Sequence, residues 1–328
     1  MSFWKGKRVL VTGGAGFVGS HVVERLCRQE ARVRVADNLS TGHRHFLDKV
    51  SDQVELLEVD LREREHAVRA VVGQDVVINM AGFIAGIGYN ANRQTDFFVN
   101  NMMLQQWILL AARDARIPLF SQVSSACVYP KDAPVPTPEA SVDIGPPEPS
   151  NQGYGWGKRM GEELARFVAA ESEMKVAILR FFNIYGPRDC FDVTKSHVIP
   201  ALVERCLGGE PVIQVWGSGN QTRSFVYVED MADLILEVTE KYPQADPINL
   251  GTPTETSMRD LVEMIVDITG SKAEIHFDTS KPEGYARRAP DLSKLYGVLG
   301  REPSAVSLRE GLERVVHYRR SMLAASPS

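Results

Sequence analysis

The four cysteines of the 328-residue chain, Cys27, Cys127, Cys190 and Cys206, form no CxxC pair and follow no regular spacing. That pattern argues against a zinc cage or a disulfide framework and fits a reducing compartment. No metal site is expected. No apolar run approaches the roughly 20 residues that a membrane-spanning helix requires. The N-terminal run MSFWKGKRVLVTGGAG passes from two lysines through a short apolar stretch into glycines, unlike a secretory leader with its long apolar segment and small-residue cleavage site. A cytoplasmic protein without membrane contact is expected. Positive charge is also in deficit: the formal net charge of -5 gives no whole-chain attraction to phosphate backbones, so nucleic acid is not an expected partner. There is no internal repeat. What the chain does have is 44% hydrophobic residues, enough for the core of one large α/β unit or two modest domains.

Short β-branched runs recur along the first half: RVLVTG, RVRVAD, VELLEVD, DVVINMAG, LFSQVSS and KVAILRFFN. Each has the length of a strand buried on both faces, and the segments between them are long enough for crossover helices. The pattern predicts an α/β fold with a doubly wound parallel sheet. After Asn183 the alternation gives way to Pro/Gly-rich loops, a helix near 199–207, the strand PVIQVWG and a return strand near 224–228. A smaller C-terminal substrate-binding lobe is therefore expected, with residues 1–182 and 223–252 in the dinucleotide-binding domain and 183–222 and 253–328 in the lobe. The proline-rich stretch from Pro130 to Gly153 reads as an ordered loop or lid over a cleft.

VLVTGGAGFVGSHVVERL places Gly13, Gly16 and Gly19 between the first strand and a helix. Glycines allow close approach of a pyrophosphate, and the helix N-terminus offers unpaired N–H groups. Phe17 and Val18 open that helix and belong to the expected cofactor contacts. Asp37 ends the second strand, where its carboxylate can accept from an adenosine ribose and repel a 2′-phosphate. The next residues, Asn38 to Gly42, include no arginine. NAD is thus favoured over NADP. Asp60 and Leu61 are candidates for flanking the adenine, and Ala81, in a run of small residues after the fourth strand, for passing under the dinucleotide.

Tyr154 and Lys158 stand four residues apart and share a helix face. A phenol of pKa about 10 is a poor base, and a neighbouring ammonium is expected to lower it. Ser125, at the C-terminal end of a strand, can hold the same substrate oxygen.

The glycine run, Ser125 with Tyr154 and Lys158, and RFFNIYGPRD together resemble the extended short-chain dehydrogenase/reductase family of nucleotide-sugar epimerases and dehydratases, built on the Rossmann fold. The resemblance extends to NMM, SSACVYPK, SHVIPAL, VWGSGNQTRSF and KPEGYARRAPDLSKL. Through these it is similar to the GDP-L-fucose synthases and the GDP-mannose 3,5-epimerases, which carry a cysteine at the position of Cys127. The resemblance implies a nucleotide-sugar substrate, GDP-linked, whose C4 ketone acidifies the C–H bonds at C3 and C5. Inversion then needs two proton-transfer groups. Cys127 and His197 are the expected pair, with ordinary pKa values of roughly 8.5 and 6.5. It further implies that Arg205, Arg223 and Arg288, with Arg287 as an adjunct, meet the diphosphate, that Asn183, Val198 and Trp216 line the sugar or base pocket, and that two long helices near 95–113 and 155–170 join a homodimer.

Two departures bear on the outcome. Where the fucose synthases carry an NADP-associated arginine in the glycine loop, this chain has Ala15, and DNLSTG around Asp37 resembles the NAD-retaining epimerases. The expected activity is epimerisation at C3/C5 of a GDP-4-keto-hexose. Net NADPH reduction, as in a fucose synthase, and simple NAD-dependent 4-epimerisation are the alternatives.

Overall fold

The computed structural model describes residues 2–84, 93–281 and 284–325. Six strands match the six apolar runs: β1 (Arg8–Thr12), β2 (Arg32–Asp37), β3 (Val54–Glu58), β4 (Val76–Asn79), β5 (Leu119–Ser125) and β6 (Lys175–Phe181). With a seventh strand, Gln244–Leu250, they form one sheet in the order Gln244–Leu250, β6, β5, β4, β1, β2, β3, and every pairing is parallel. The inner strands β1 and β4 are covered on both faces, which explains why Val9–Val11 and Val76–Ile78 are continuously apolar. In β1, Val9 and Val11 enter one core with Val22, Leu26, Met231 and Ile235. Leu10 enters the other, with Val77, Phe120, Ile108 and Ala165. The strand order reverses between β1 and β4, so the C-terminal ends of these strands flank the crevice where doubly wound sheets take ligands.

The seventh strand is not where the sequence pattern put the return to the sheet. Residues near 224–228 instead form two short strands: Thr222–Ser224 pairs with Glu255–Ser257 and Arg287–Arg288, and Val226–Tyr227 pairs with Ile184–Tyr185. The true return, QADPINL, carries Asp246 and Pro247 and reads poorly as a strand. It is an edge strand, where a missing N–H and a polar residue are tolerated, and its register shifts between Gln244 and Pro247.

A third core gathers Ile199, Leu202, Val203, Ile213, Leu261, Ile265, Leu312 and Val315 from the helices Val198–Leu207, Met258–Thr269 and Leu308–Ala325 and a small parallel sheet of Val212–Trp216 and Glu274–Asp278. The proline-rich stretch is ordered, as expected. Thr137 exchanges backbone bonds with Ala289 and Asp291 at 2.9 Å each, and Arg159 donates to the carbonyls of Val128 and Gly145 at 2.7 Å. The two long helices, Gln94–Asp114 and Gln152–Glu171, pack against each other within the chain and leave Phe98, Val99 and Phe167 exposed. Among the described residues no helix is long and apolar enough to cross a membrane.

Candidate active site

The glycine loop is shaped by contacts that only glycine permits. Gly13 has φ +66°, in the left-handed region. A Cβ on Gly19 would lie 2.2 Å from the Gly13 carbonyl oxygen, so any side chain there would push the helix Phe17–Arg28 off the loop. Gly16 caps that helix, and Gly13, Gly16, Phe17 and Val18 remain partly exposed. This bare backbone at a helix N-terminus fits a pyrophosphate. At the end of β2, Asp37 is buried, and its oxygens accept from the Ala15 amide at 3.0 Å and the Leu39 amide at 2.9 Å. Burial raises its pKa, with the two amide bonds and His43 opposing. Asp37 therefore organises the glycine loop.

Asn38 donates to Asp60 at 3.3 Å and accepts from the Ser40 amide. The Asp60 carboxylate is taken up by Arg62, whose side-chain bonds hold it down at a pKa of about 2 against a smaller burial effect. Leu61 departs from expectation: its side chain enters the core with Val59 and Ala67, leaving only its backbone for an adenine. Ala81 donates its amide to Thr12 Oγ1 at 3.0 Å. Thr12 begins a buried chain of side-chain bonds through Asn79 and Gln122 to Gln105, which fixes the floor of the crevice.

Ser125 ends β5 and caps the short turn Ala126–Val128, accepting from the Cys127 amide at 3.2 Å. The Cys127 sulfur receives bonds from Asn151 Nδ2 at 3.3 Å and from the Arg288 guanidinium at 3.4 Å. Burial works against the thiolate and is the largest single influence. The Arg288 charge and the bonds from Ser125, Arg288 and Asn151 together outweigh it, so the thiol lies below its ordinary pKa. Asn151 comes from the end of the proline-rich stretch. Nothing in its sequence context singled it out.

Tyr154 and Lys158 are nearly inaccessible, at 5% and 3% exposure. The expected depression of Tyr154 by Lys158 is not found. Burial and the Cys127 thiolate push the phenol well above its ordinary value, and Ser125 and Arg288 only partly oppose them. Lys158 turns its ammonium to the Val123 carbonyl at 3.1 Å. Its pKa falls to about 8 through burial, despite Glu162 and Cys127.

Below these groups lies a polar cluster: Arg180 in β6 forms a two-pronged pair with Glu162 at 3.0 and 2.6 Å and donates to Tyr129 at 3.0 Å. Ser124 donates to the same carboxylate. Arg180 and Glu162 are 0% and 1% exposed.

His197 caps the helix Val198–Leu207. Its Nδ1 lies 3.8 Å from Asp189 Oδ1. Burial disfavours the imidazolium most strongly, but Asp189 and the Cys127 thiolate overcome it, and the net pKa is raised. The Cys127 thiolate is thus one of the two groups that favour the charged form of His197, whereas Arg288, Ser125 and Asn151 are the groups that favour the thiolate. Val198 beside it is partly exposed, and Trp216 is 58% exposed at the end of its strand. Asn183 is tied to the Ser224 carbonyl at 2.8 Å.

The arginines separate. Arg223 donates to the carbonyls of Thr222 and Tyr285 at 2.7 and 2.8 Å and has no carboxylate partner among the described residues. Burial and the nearby Arg288 lower its pKa to about 10. Arg288 serves Cys127 rather than standing free for a diphosphate. Arg287 points the other way, onto Glu255 at 2.6 Å, because neighbouring strand residues face opposite sides. Arg205 is a correction: its guanidinium is held by Glu210 and the carbonyls of Gln214 and Val212. Eight helical residues make two turns plus about 80°, enough to carry it off the His197 face. Of the KPEGYARR segment, Pro282 and Glu283 lie outside the described residues.

Strand order, glycine loop and a serine–tyrosine–lysine group at the crevice define an enzyme of the NAD(P)-dependent dinucleotide-fold class. The chain belongs to the NAD dependent epimerase/dehydratase family, which matches residues 9–251. It is 31% identical over 307 residues to a GDP-L-fucose synthase of Sinorhizobium fredii, covering 92% of this chain and 93% of that one. It is 30% identical to the GDP-mannose 3,5-epimerase of Arabidopsis thaliana, covering 95% and 81%. A UDP-glucose 4-epimerase of Thermotoga maritima, solved with UDP-glucose, superimposes with a TM-score of 0.86 at 30% identity, covering 96% and 99%.

Proposed function

We propose that the chain is a nucleotide-sugar epimerase that inverts C3, C5 or both of a GDP-linked 4-keto-hexose. The observation that carries this reading is the pairing of a thiol shifted down with an imidazole shifted up, across a cleft that also holds Ser125 and Tyr154. These directions move the thiol toward thiolate and the imidazole toward imidazolium, and in this reading Cys127 is the base and His197 the acid. The thiolate removes the proton beside the ketone. The charge that develops on the C4 oxygen is met by hydrogen bonds from Ser125 and from Tyr154, whose raised pKa keeps it a donor. His197 then delivers a proton to the opposite face.

Gly13, Gly16, Phe17, Val18, Asp37 and Ala81 would hold the dinucleotide, with Asp37 and Ala15 favouring NAD. Bound there, the cofactor supplies reversible hydride transfer at C4, which makes or removes the ketone. In this reading residues 1–182 and 223–252 carry the cofactor, and 183–222 with 253–328 carry the nucleotide sugar. Support for the GDP-linked class comes from the two GDP-sugar relatives. Asn183, Val198 and Trp216 line the sugar or base pocket. Arg223, a half-buried cation lacking a carboxylate partner among the described residues, suits the diphosphate. Arg223→Ala is expected to weaken GDP binding about 10- to 100-fold, the loss of about 1.5–3 kcal/mol in charge-assisted bonds. Calorimetric titration with GDP checks this, and unchanged affinity would remove Arg223 from the site.

The reading is tested by identifying the nucleotide released on denaturation, then incubating the protein with GDP-4-keto-6-deoxymannose in heavy water with and without NADPH. Released NAD and solvent deuterium in the sugar without reduction support the epimerase. Net reduction by NADPH overturns it in favour of a fucose synthase activity.

A further inference from the structure

The loop that carries His197 contains a buried acidic group that the proposed chemistry has not used. Asp189 follows Arg188, whose φ of +72° turns the chain inward. The Asp189 side chain is 5% exposed, against 50% for His197. Its Oδ1 accepts from the Cys190 amide at 2.7 Å. Its Oδ2 is buried with no hydrogen-bond partner. Such an oxygen is costly to leave unpaired. The adjacent guanidinium of Arg188 does not serve it: Nη2 pairs with Glu24, and Nη1 is itself buried without a hydrogen-bond partner.

The other charges around His197 are also committed. Lys195 and Asp192 of the same loop pair with each other at 3.7 Å. From the C-terminal helix, Arg319 pairs with Glu204. Cys127, whose thiolate acts on the imidazole, carries Arg288 on its sulfur.

The imidazole has a reason to need this partner. His197 caps a ten-residue helix, and the positive end of a helix dipole disfavours an imidazolium. The Ala201 amide bonds to the His197 carbonyl at 3.1 Å, so the backbone is fixed and the ring is the part free to turn. Nδ1 already stands 3.8 Å from Asp189 Oδ1, so the ring needs to close less than about 1 Å to reach hydrogen-bond distance.

We propose that Asp189 is the positioning residue of His197: it accepts from Nδ1–H, fixes the ring so that Nε2 faces the sugar, and stabilises the imidazolium whose Nε2–H is delivered. This rests on the epimerase reading above for its role in inversion, whereas the contact between the two side chains stands apart from it. With Asp189 in place the imidazolium persists to higher pH. Because His197 acts as the acid, inversion declines as pH rises through its pKa, and removing the carboxylate moves that decline to lower pH.

The test uses Asp189→Asn, which keeps the size, and Asp189→Glu, which keeps the charge. The His197 imidazole, assigned by comparison with His197→Asn, is titrated by NMR in each full-length protein, and the pH profile of inversion is measured on the same samples. The expected result is a lower imidazole titration in Asp189→Asn, an alkaline limb moved to lower pH and a rate about tenfold down near neutrality, with Asp189→Glu partly restored. An imidazole titration unmoved by Asp189→Asn overturns the proposal, as does a rate that falls equally at every pH. A lowered titration in a protein that inverts no sugar keeps the Asp189–His197 contact and sinks the epimerase reading instead. Should Asp189→Asn fail to fold, the same titration in Asp189→Glu decides: a titration still above that of a free histidine supports the contact, and one at or below it overturns it.

Discussion

Cys127→Ser is expected to abolish solvent-deuterium incorporation at the sugar carbons beside the ketone, with a loss of about a thousandfold or more, while NAD stays bound. The size follows from the role. A positioned general base contributes about 10²- to 10⁴-fold, and a serine hydroxyl holds its proton far more tightly than a thiol. The Arg288 guanidinium and Asn151, which bring the thiol below its ordinary pKa, cannot bring a hydroxyl into the same range. Serine is also nearly the size of cysteine, so the turn Ala126–Val128 and its cap by Ser125 should survive. Deuterium incorporation read by mass spectrometry, with bound cofactor measured on the same sample, checks both halves. Wild-type exchange in the variant would mean that Cys127 is inert packing and that the enzyme inverts some other centre.

Arg180→Met is expected to destabilise the fold by about 3–5 kcal/mol, because it leaves the Glu162 carboxylate buried and unpaired. That carboxylate accepts from Ser124 as well as Arg180, and Arg180 also bridges to Tyr129 and the Glu139 carbonyl. One substitution therefore orphans several polar atoms beneath the catalytic strand. The double variant Glu162→Met with Arg180→Met should cost less than either single change, since no uncompensated charge remains. Urea unfolding of the three variants provides the comparison. A single-variant loss under about 1 kcal/mol would show that water enters and solvates the carboxylate. Activity follows the same cluster, because Glu162 lies one helical turn from Lys158 and helps to keep its ammonium charged.

The inner strands were legible because burial on both faces favours apolar runs such as Val9–Val11 and Val76–Ile78, and that signal survives without any partner in view. Gln244–Leu250 escaped because an edge strand is released from this demand at Asp246 and Pro247. Ser125, Tyr154 and Lys158 could be grouped from spacing, since strand end and helix face follow from local geometry. The contacts that set their protonation could not. Lys158 shares a face with Tyr154, yet its ammonium is drawn to the Val123 carbonyl, and burial governs the phenol. Arg287 and Arg288 looked interchangeable in sequence, because a two-residue strand carries no periodicity. Only their pairing with Thr222 and Arg223 sends one to Glu255 and the other to Cys127. Asn151 and Asp189 reach the site by tertiary packing from the proline-rich stretch and a loop, for which neither composition nor spacing gives a signal.

The central claim is that a thiolate and an imidazolium address opposite faces of one sugar ring. It is tested most directly by following both deuterium and configuration in His197→Asn with a GDP-4-keto sugar in heavy water. The account predicts that Cys127 still removes and returns the proton on its own face, so deuterium enters the substrate with its configuration retained and no inverted product forms. Inverted product at the wild-type rate would contradict it.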